Sequence, residues 1–208
     1  MKSPNTFKPK KCKVCKEVFT PVQSLQSVCG YKCAISHAKE VKAKQQRAKD
    51  KKTREGLKSN SDYLKELQKE INTIVRLIDK GSQCISTLKP LNDKFDAGHL
   101  YSVGSNPALR FHLDNIHAQS VYANQYLSGD QINYINGLSD VYGKCYKDYV
   151  LNLKSAYKAL KLNQDELKEK ITIARQIVKE LKVLDLQYSA KVRLELRKKY
   201  NERLGIYN

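Results

Sequence analysis

Apolar side chains recur at helical spacing from Ser61 onward and define one amphipathic helix, which Gly81 closes. The preceding stretch, residues 39–60, is polar and basic and has almost no apolar periodicity. Because it buries no face by itself, it is either a solvated helix or a flexible tether. A domain boundary is therefore expected near residues 55–60. The apolar positions of the helix that follows are Tyr63, Leu67, Ile71, Ile74 and Ile78.

The carboxy-terminal half also has helical periodicity, in residues 130–142 and 144–160. Asn163, with Glu166 three residues later, forms a capping-box pattern that predicts the start of a long helix. The apolar stripe of this helix is typical of core packing or of a seam between two protomers. Its members are Leu167, Ile171, Ala174, Ile177, Val178 and Leu181.

The segment between these helical regions has a different pattern. FDAGHLYS, residues 95–102, has strand character, and DNIHAQSVYANQYL, residues 114–127, has the pattern of a helix after a long loop. Strand, loop and helix are the parts of a ββα-metal finger, in which a strand His activates water and a helix residue helps to hold a divalent ion. The predicted fold class is mainly α with small β, with this finger embedded in a helical domain.

The chain carries a formal net charge of +18, and residues 1–60 hold sixteen Lys and Arg against four acids. A polyanion partner follows, because Lys and Arg contacts to phosphate release counterions. The alternative is a merely basic, soluble surface. No run of eighteen apolar residues occurs, which argues against export and membrane insertion and favours the cytoplasm. The predicted phosphate contacts of the basic stretch are Lys42, Lys44, Arg47, Lys49, Lys51 and Lys52.

Four of the six cysteines form a CxxC pair and a CxxxC pair: Cys12, Cys15, Cys29 and Cys33. Two such pairs supply the thiolates of a tetrahedral zinc site, and disulfides are the competing interpretation. A Cys₄ site leaves no open position, so one structural zinc per chain is expected rather than a catalytic one. The second pair runs into a helix-favouring tract, as in treble-clef zinc modules. His37 is an alternative ligand to one of the cysteines.

These patterns divide the chain into four segments. They are a zinc module at 1–38, a basic linker or helix at 39–60, a finger-containing core at 61–185 and a basic helical tail at 186–208.

The central residues resemble those of a known family, the phage recombination endonucleases called NinG or Rap, which carry an HNH-like, or more accurately HNN-like, nuclease signature. The resemblance implies a structure-selective nuclease that acts on branched DNA, including Holliday junctions. It covers most of residues 8 to about 185. The stretches that carry it, beside the cysteine-rich amino terminus, are DAGH at 96–99, SVGSNPALRF at 102–111, DNIHAQ at 114–119 and NQYLSG at 124–129.

The resemblance assigns roles to individual residues. His99 matches the first motif residue and is the expected general base, and Asn115 matches the middle Asn. Asn124 falls where the third motif residue lies and is an expected ligand of a catalytic Mg²⁺ or Mn²⁺, with Asp96 as its acidic partner. His117 is added as a catalytic candidate, because it precedes Asn124 by seven residues, two helical turns away on nearly the same face.

Each assignment has a structural alternative. His99 would otherwise be a turn histidine, Asn115 a helix cap, and His117 a partly buried structural histidine. Asp96 and His99 are three residues apart and point to opposite faces of an ideal strand, so a common site requires a bulge at Gly98.

Arg110 is a candidate DNA contact, with an ion pair to Asp114 as the alternative.

Members of the resembled family usually carry a second pair of CxxC knuckles around the finger. In this chain the corresponding positions are Cys84, Thr87, Ser120 and Ala123, so only one sulfur is present and no second zinc is expected. Packing must then hold the finger, and the predicted contributors are Leu88, Phe95, Val121, Tyr122 and Tyr126.

Three functions follow from the sequence. The first is a metal-dependent endonuclease of branched DNA, which binds branched or double-stranded DNA as a homodimer in the host cytoplasm. The second is a non-catalytic DNA-binding recombination adaptor that keeps the finger as a binding shape. The third is an RNA-binding zinc protein, for which the order of DAGH and DNIH would be a coincidence.

Overall fold

The computed structural model describes residues 7–207. Two compact units make up the chain: the first ends at Lys58 and the second begins at Ser59. Among the described residues, no helix combines the length and apolar character that a membrane span requires.

The first unit contains a short hairpin and one long helix. Strands β1 (Lys10–Lys11) and β2 (Val18–Phe19) pair in antiparallel fashion, and α1 (Tyr31–Gly56) follows. None of the 26 residues of α1 is buried, so this helix is solvated along its described length. Its Lys, Ala, Gln and Arg residues are strong helix formers, which explains a helix without an apolar face. Of the two alternatives for the basic stretch, the solvated helix describes the residues up to Gly56.

The core of the second unit is built on α2 (Asn60–Ile78) and α5 (Gln164–Leu184). Both helices begin with a capping box, formed by Ser59 with Asp62 and by Asn163 with Glu166. The apolar stripes predicted on the two helices are buried in one cluster. The stripe of α5 is therefore core packing within one chain, and the alternative of a seam between protomers is wrong for these residues.

Strands β3 (Asp96–His99) and β4 (Ile116–Gln119) form an antiparallel pair, and two short 3₁₀ turns lie in the loop between them. The prediction of a helix over 114–127 is wrong for its first half, because all four residues of β4 are buried and paired with β3. Tertiary burial outweighs local propensity in this segment. Only a single π-helical turn, Tyr122–Tyr126, follows, with the Leu127 N–H donating to the Tyr122 carbonyl at 3.2 Å.

Gly98 introduces no bulge, so the condition for a common site of Asp96 and His99 is not met in this strand. The register runs without interruption from the pair of Asp96 and Gln119 to the pair of His99 and Ile116. The glycine is required for another reason: a Cβ at position 98 would lie 2.1 Å from Oε1 of the buried Gln119 side chain.

Helices α3 (Gln131–Tyr142), α4 (Lys144–Ala156) and α6 (Ala190–Leu204) complete the second unit. Helix α3 approaches the chain closely at Gly137, where a Cβ would lie 1.7 Å from the carbonyl oxygen of Ile85. Within the segment predicted as a basic helical tail, Ala190–Leu204 is helical, and this helix packs against the rest of the second unit. Arg197, Tyr200 and Leu204 of α6 are buried, since α6 packs into the core with α2 and α5.

A buried ion pair joins α6 to the end of α2. Arg197 donates two hydrogen bonds to Asp79, at 3.0 and 2.8 Å, and both side chains are almost completely buried. Each partner also holds the backbone of β4. The Ala118 N–H donates to Asp79 at 2.8 Å, and Arg197 donates to the Ile116 carbonyl at 3.0 Å.

Three histidines of the second unit, His99, His112 and His117, have pKa values below the usual range for histidine. Burial is the largest cause in each case. For His117, which is 1% exposed, the nearby charges of Arg197 and Arg193 lower the pKa further. These rings are therefore neutral in the folded chain at neutral pH.

Loss of the buried guanidinium should destabilise the second unit strongly. We expect Arg197→Met to lower the free energy of unfolding by about 3–5 kcal/mol, because it leaves the Asp79 carboxylate buried without a counter-charge. The matched control is Arg203→Met, whose ion pair with Glu180 is solvent-exposed and should contribute about 1 kcal/mol or less. Urea denaturation followed by circular dichroism measures both. Equal losses in the two variants would contradict the prediction.

Acid should weaken the fold through the buried histidines. The unfolded chain protonates each ring near pH 6.5, whereas the folded chain does so only at lower pH, so the unfolded state binds more protons between the two values. The free energy of unfolding should therefore fall between pH 7 and pH 5, by up to about 1.4 kcal/mol per pH unit for each histidine.

Urea denaturation at a series of pH values tests this expectation. His117→Gln should flatten the slope, and His37→Gln on the solvated helix α1 serves as the control. A slope that is identical in the wild-type protein and in His117→Gln would refute the role assigned to His117.

Candidate functional site

The four amino-terminal cysteines converge in the first unit. Cys12 and Cys15 lie in the turn between β1 and β2, Cys29 lies just before α1, and Cys33 lies in its first turn. Their Sγ atoms all lie within 4.8 Å of one another, and Cys29 is 3.6 Å from both Cys15 and Cys33. Tetrahedral bonds of 2.3 Å separate sulfurs by about 3.8 Å. The cysteines are thus positioned to bind a metal such as zinc.

The local backbone favours the thiolate form of Cys12, whereas the neighbouring cysteine side chains, Cys15 first among them, raise the pKa of Cys29 to about 12. Burial raises the pKa of Cys12, but hydrogen bonds from backbone N–H groups, including that of Cys29, outweigh it and bring the pKa to about 6. His37 is not among the potential ligands that gather here, so the described residues do not support a swap of this histidine for a cysteine.

The predicted DNA-contact residues of α1 are all exposed. At 100° per residue, Lys44, Arg47 and Lys51 project within about 60° of one another. Lys42 and Lys49 project from the opposite side, and Lys52 lies between the two groups. The six charges therefore spread over about 220° of the helix circumference and do not form a single stripe.

Asp96 and Asn124 are in direct contact. Nδ2 of Asn124 donates to Oδ2 of Asp96 at 2.9 Å, and Nε2 of Gln125 donates to the same oxygen at 2.9 Å. The carboxylate belongs to the first residue of β3, and both amides belong to the π-helical turn. Gln125 was missed by the sequence analysis, although its position next to Asn124 was a usable signal. The structure therefore brings together the two predicted cation ligands.

His99 lies in different surroundings. In the regular strand it shares a face with Ala97, which packs in the core, whereas Asp96 shares a face with Gly98. Nε2 of His99 is 3.1 Å from the Arg110 carbonyl oxygen and 3.4 Å from Nε2 of Gln68. The convergence of His99 with Asp96 and Asn124 that the finger requires is not present in this arrangement.

The His99 ring has a carbonyl oxygen as a neighbour. Since a carbonyl only accepts, the contact with Arg110 favours the tautomer that carries its proton on Nε2. His99 also borders a polar cleft of about 170 Å³, which is further lined by Leu100, Ser102, Ser105, Ser128, Gly129 and Gln131.

Asn115 is a brace of the loop between β3 and β4. Its side chain is fully buried, accepts from the Tyr101 N–H at 2.9 Å, and donates to the carbonyls of Tyr101 and Leu109 at 3.0 and 3.2 Å. The alternative that it caps a helix is wrong, because β4 follows it. None of these hydrogen bonds involves Asp96 or Asn124.

His117 lies among tyrosines in the interior. Its Nδ1 is 3.0 Å from the Tyr134 hydroxyl, and its Nε2 is 3.2 Å from the Tyr146 hydroxyl. The predicted alignment with Asn124 along one helix face is wrong, since His117 belongs to β4. At 1% exposure, its ring lies in the interior, as the alternative of a structural histidine describes.

Arg110 is half-buried and is not paired with Asp114. It donates to Gln68 at 3.1 Å and lies over the Phe111 ring, 5.3 Å from the centroid. Asp114 instead accepts from Tyr146 at 2.7 Å and from Asn201 at 2.8 Å. The ion-pair alternative is therefore wrong. Gln68, which contacts both Arg110 and His99, carried no sequence signal beyond its place beside an apolar stripe.

The positions that correspond to the second pair of knuckles also come together. The Ser120 N–H donates to Sγ of Cys84 at 3.2 Å, the two side chains are 3.7 Å apart, and the Ala123 N–H donates to Oγ of Ser120 at 3.2 Å. Burial raises the pKa of Cys84, but hydrogen bonds with Ser120 and Thr87 lower it to a net value below the usual range. Hydrogen bonds thus connect these positions.

The predicted packing around the finger is wrong for three of its five members. Leu88, Tyr122 and Tyr126 are 38%, 62% and 75% exposed. The π-helical turn is held by the hydrogen bonds of Ser120 and of its own backbone rather than by these side chains.

Comparison with known proteins identifies the family. The sequence pattern described as "NinG: Bacteriophage Lambda NinG protein" matches residues 4–183. A protein named ninG from Escherichia phage 933W is 34% identical over 143 residues, 60% of this chain and 71% of that protein. Protein ninG of Escherichia phage lambda is 30% identical over 138 residues, 58% and 68% of the two chains. No solved structure matches the chain. With most of its length matched, the chain belongs to the NinG family of bacteriophage proteins.

Proposed function

We propose that this protein is a metal-dependent endonuclease that cuts branched DNA, with Asp96 and Asn124 as ligands of the catalytic cation. The contact between these two side chains carries the proposal. It joins a carboxylate and an amide that are 28 residues apart in the sequence, at the junction of a β-hairpin and a helical turn. The resemblance of DAGH, DNIHAQ and NQYLSG to the NinG or Rap signature supports the same assignment.

The residues present fit a hard cation. Exchange of the amide nitrogen and oxygen of Asn124 and of Gln125, by rotation of each group, turns the cluster with Asp96 into three oxygen ligands. Oxygen ligands are the set that Mg²⁺ and Mn²⁺ prefer. When bound, the cation would neutralise charge that develops on the phosphate and the leaving oxygen.

His99 is the proposed general base. Its neutral ring can accept a proton from water. His99 and Asp96 are separated by about 10 Å along β3, at 3.3 Å per residue. A joint role therefore requires a substrate that spans both positions or a rotation at the end of the strand.

The separate surroundings of His99 favour a second candidate function. In this alternative the protein binds branched DNA without cutting it and acts as a recombination adaptor. The first unit would serve both functions, with a zinc ion fixing the fold around Cys12, Cys15, Cys29 and Cys33 and α1 contacting phosphates.

Metal analysis tests the zinc site. We expect one zinc per chain in the purified protein and its loss in Cys12→Ser, because three thiolates and a hydroxyl bind the ion much more weakly. Cys145→Ser, which removes an exposed thiol of α4, should keep the full zinc content. Two zinc ions per chain would show that the group around Cys84 also binds metal.

Cleavage assays test the nuclease. The wild-type protein should cut four-way or flapped DNA in Mg²⁺ or Mn²⁺, and chelation should stop the reaction. Asp96→Ala, Asn124→Ala and His99→Ala should each lower the rate by about 10²-fold or more, because each removes a cation ligand or the proton acceptor. Asn152→Ala, an exposed amide on α4, is the matched control and should cut at the wild-type rate.

Fluorescence anisotropy of labelled DNA should show that the three impaired variants still bind. If the wild-type protein binds branched DNA but does not cut it in the presence of any divalent metal, the adaptor function is established. Preferential binding of RNA in competition would overturn both candidates.

A further inference from the structure

The π-helical turn that carries Asn124 has a second, exposed face. Tyr122 and Tyr126 are 62% and 75% exposed, and their rings lie nearly parallel, with centroids 6.1 Å apart and planes inclined by 22°. Positions i and i+4 share one side of a helical turn. Asn124 and Gln125 are directed toward Asp96 instead. One short turn therefore presents amides to the carboxylate and two phenol rings to solvent.

We propose that Tyr122 and Tyr126 form a stacking platform for an unpaired base of the DNA strand whose backbone lies at Asp96 and Asn124. The inference rests on the proposed function for the assignment of DNA as the substrate. It adds the source of selectivity for branched over fully paired DNA. Exposed aromatic rings accept any base, because every base offers a π-face.

The platform lies within reach of a single strand that contacts the carboxylate. A helical turn with its side chains is about 10–12 Å across. Nucleotides in a stacked strand advance about 3.4 Å each. A base about three nucleotides from the phosphate at Asp96, or fewer in an extended strand, therefore reaches the rings.

Only an unpaired base can use such a platform. In a continuous duplex both faces of every base are covered by neighbouring base pairs, so stacking on a protein ring requires a base to leave the helix. At a fork, flap or junction, bases at the branch point are already partly exposed. The free energy of stacking is therefore gained on branched DNA without the loss of a base pair.

The surrounding charge suits a polyanion. The exposed Lys94 precedes Asp96 by two residues, and the exposed Lys89 is anchored near the turn because its carbonyl accepts from the Cys84 N–H at 2.9 Å. Cys84 in turn contacts Ser120, which precedes the turn. The second unit as a whole carries 23 Lys and Arg against 17 acids. This net positive charge favours a nucleic acid over an uncharged apolar ligand as the occupant of the platform.

Equilibrium binding in EDTA tests the platform separately from cleavage. Anisotropy titrations compare a forked DNA with a fully paired duplex of the same length and label. Tyr122→Ala/Tyr126→Ala should raise the Kd for the fork about fivefold or more and leave the Kd for the duplex unchanged. Tyr122→Phe/Tyr126→Phe keeps the ring faces and should bind the fork as the wild type does.

Tyr149→Ala, which removes an exposed tyrosine of α4, is the matched control and should change neither Kd. Equal weakening on fork and duplex, or no change on either, would overturn the inference. So would a change of oligomeric state in the double alanine variant by light scattering, because the rings would then be a contact between protein chains.

The outcomes separate the two proposals. If the wild-type protein cuts no DNA and the double alanine variant loses the fork preference, the platform is supported and the nuclease is refuted. If the wild-type protein cuts branched DNA and the variant keeps the fork preference, the nuclease is supported and the platform is refuted. The same titration with Asn124→Ala should show the fork preference of the wild type, since the fork preference does not depend on the cation site.

Discussion

The second unit depends on one buried ion pair, that between Asp79 and Arg197. Its partners come from the end of α2 and from α6, and each also hydrogen-bonds the backbone of β4. Removal of two charges from water is costly, and their attraction offsets this cost only in good geometry with every remaining donor and acceptor engaged. Because the pair satisfies most of these groups through β4, the position of that strand is coupled to the pairing of the charges. The register of β3 against β4 then fixes where Asp96 and His99 lie.

Features that a local rule decides could be predicted from the sequence. The predicted capping box of Asn163 and Glu166 is present, because a side chain and an N–H group three residues away need only each other. The apolar stripes of α2 and α5 are buried as their 3.6-residue period requires. The cysteine spacing predicted the clustered thiols of the first unit, since two short loops suffice to bring four sulfurs together.

Features that distant residues decide could not be predicted in this way. Ile116–Gln119 has no strong strand signal, and it becomes a strand because β3, α2 and the buried ion pair surround it. His117 appeared available for chemistry because its three tyrosine neighbours come from α3 and α4. A bulge at Gly98 was required only for a common site of Asp96 and His99, whereas the structure needs this glycine because of a glutamine on the neighbouring strand. In the candidate site, the resemblance to the family motif predicted the pairing of Asp96 with Asn124. The alternation of side chains along a strand predicted that His99 lies apart from Asp96.

The distribution of charge around α1 has a consequence for how the first unit would recognise DNA. A helix that reads bases must enter a groove in one rotational setting, with its contacts on a single side. A rod with cations around most of its circumference has only a weak rotational preference about its own axis, so it would meet phosphates of differently angled duplex arms with similar strength. Such an element would contribute adhesion but no sequence information, and discrimination among DNA shapes would be left to the second unit.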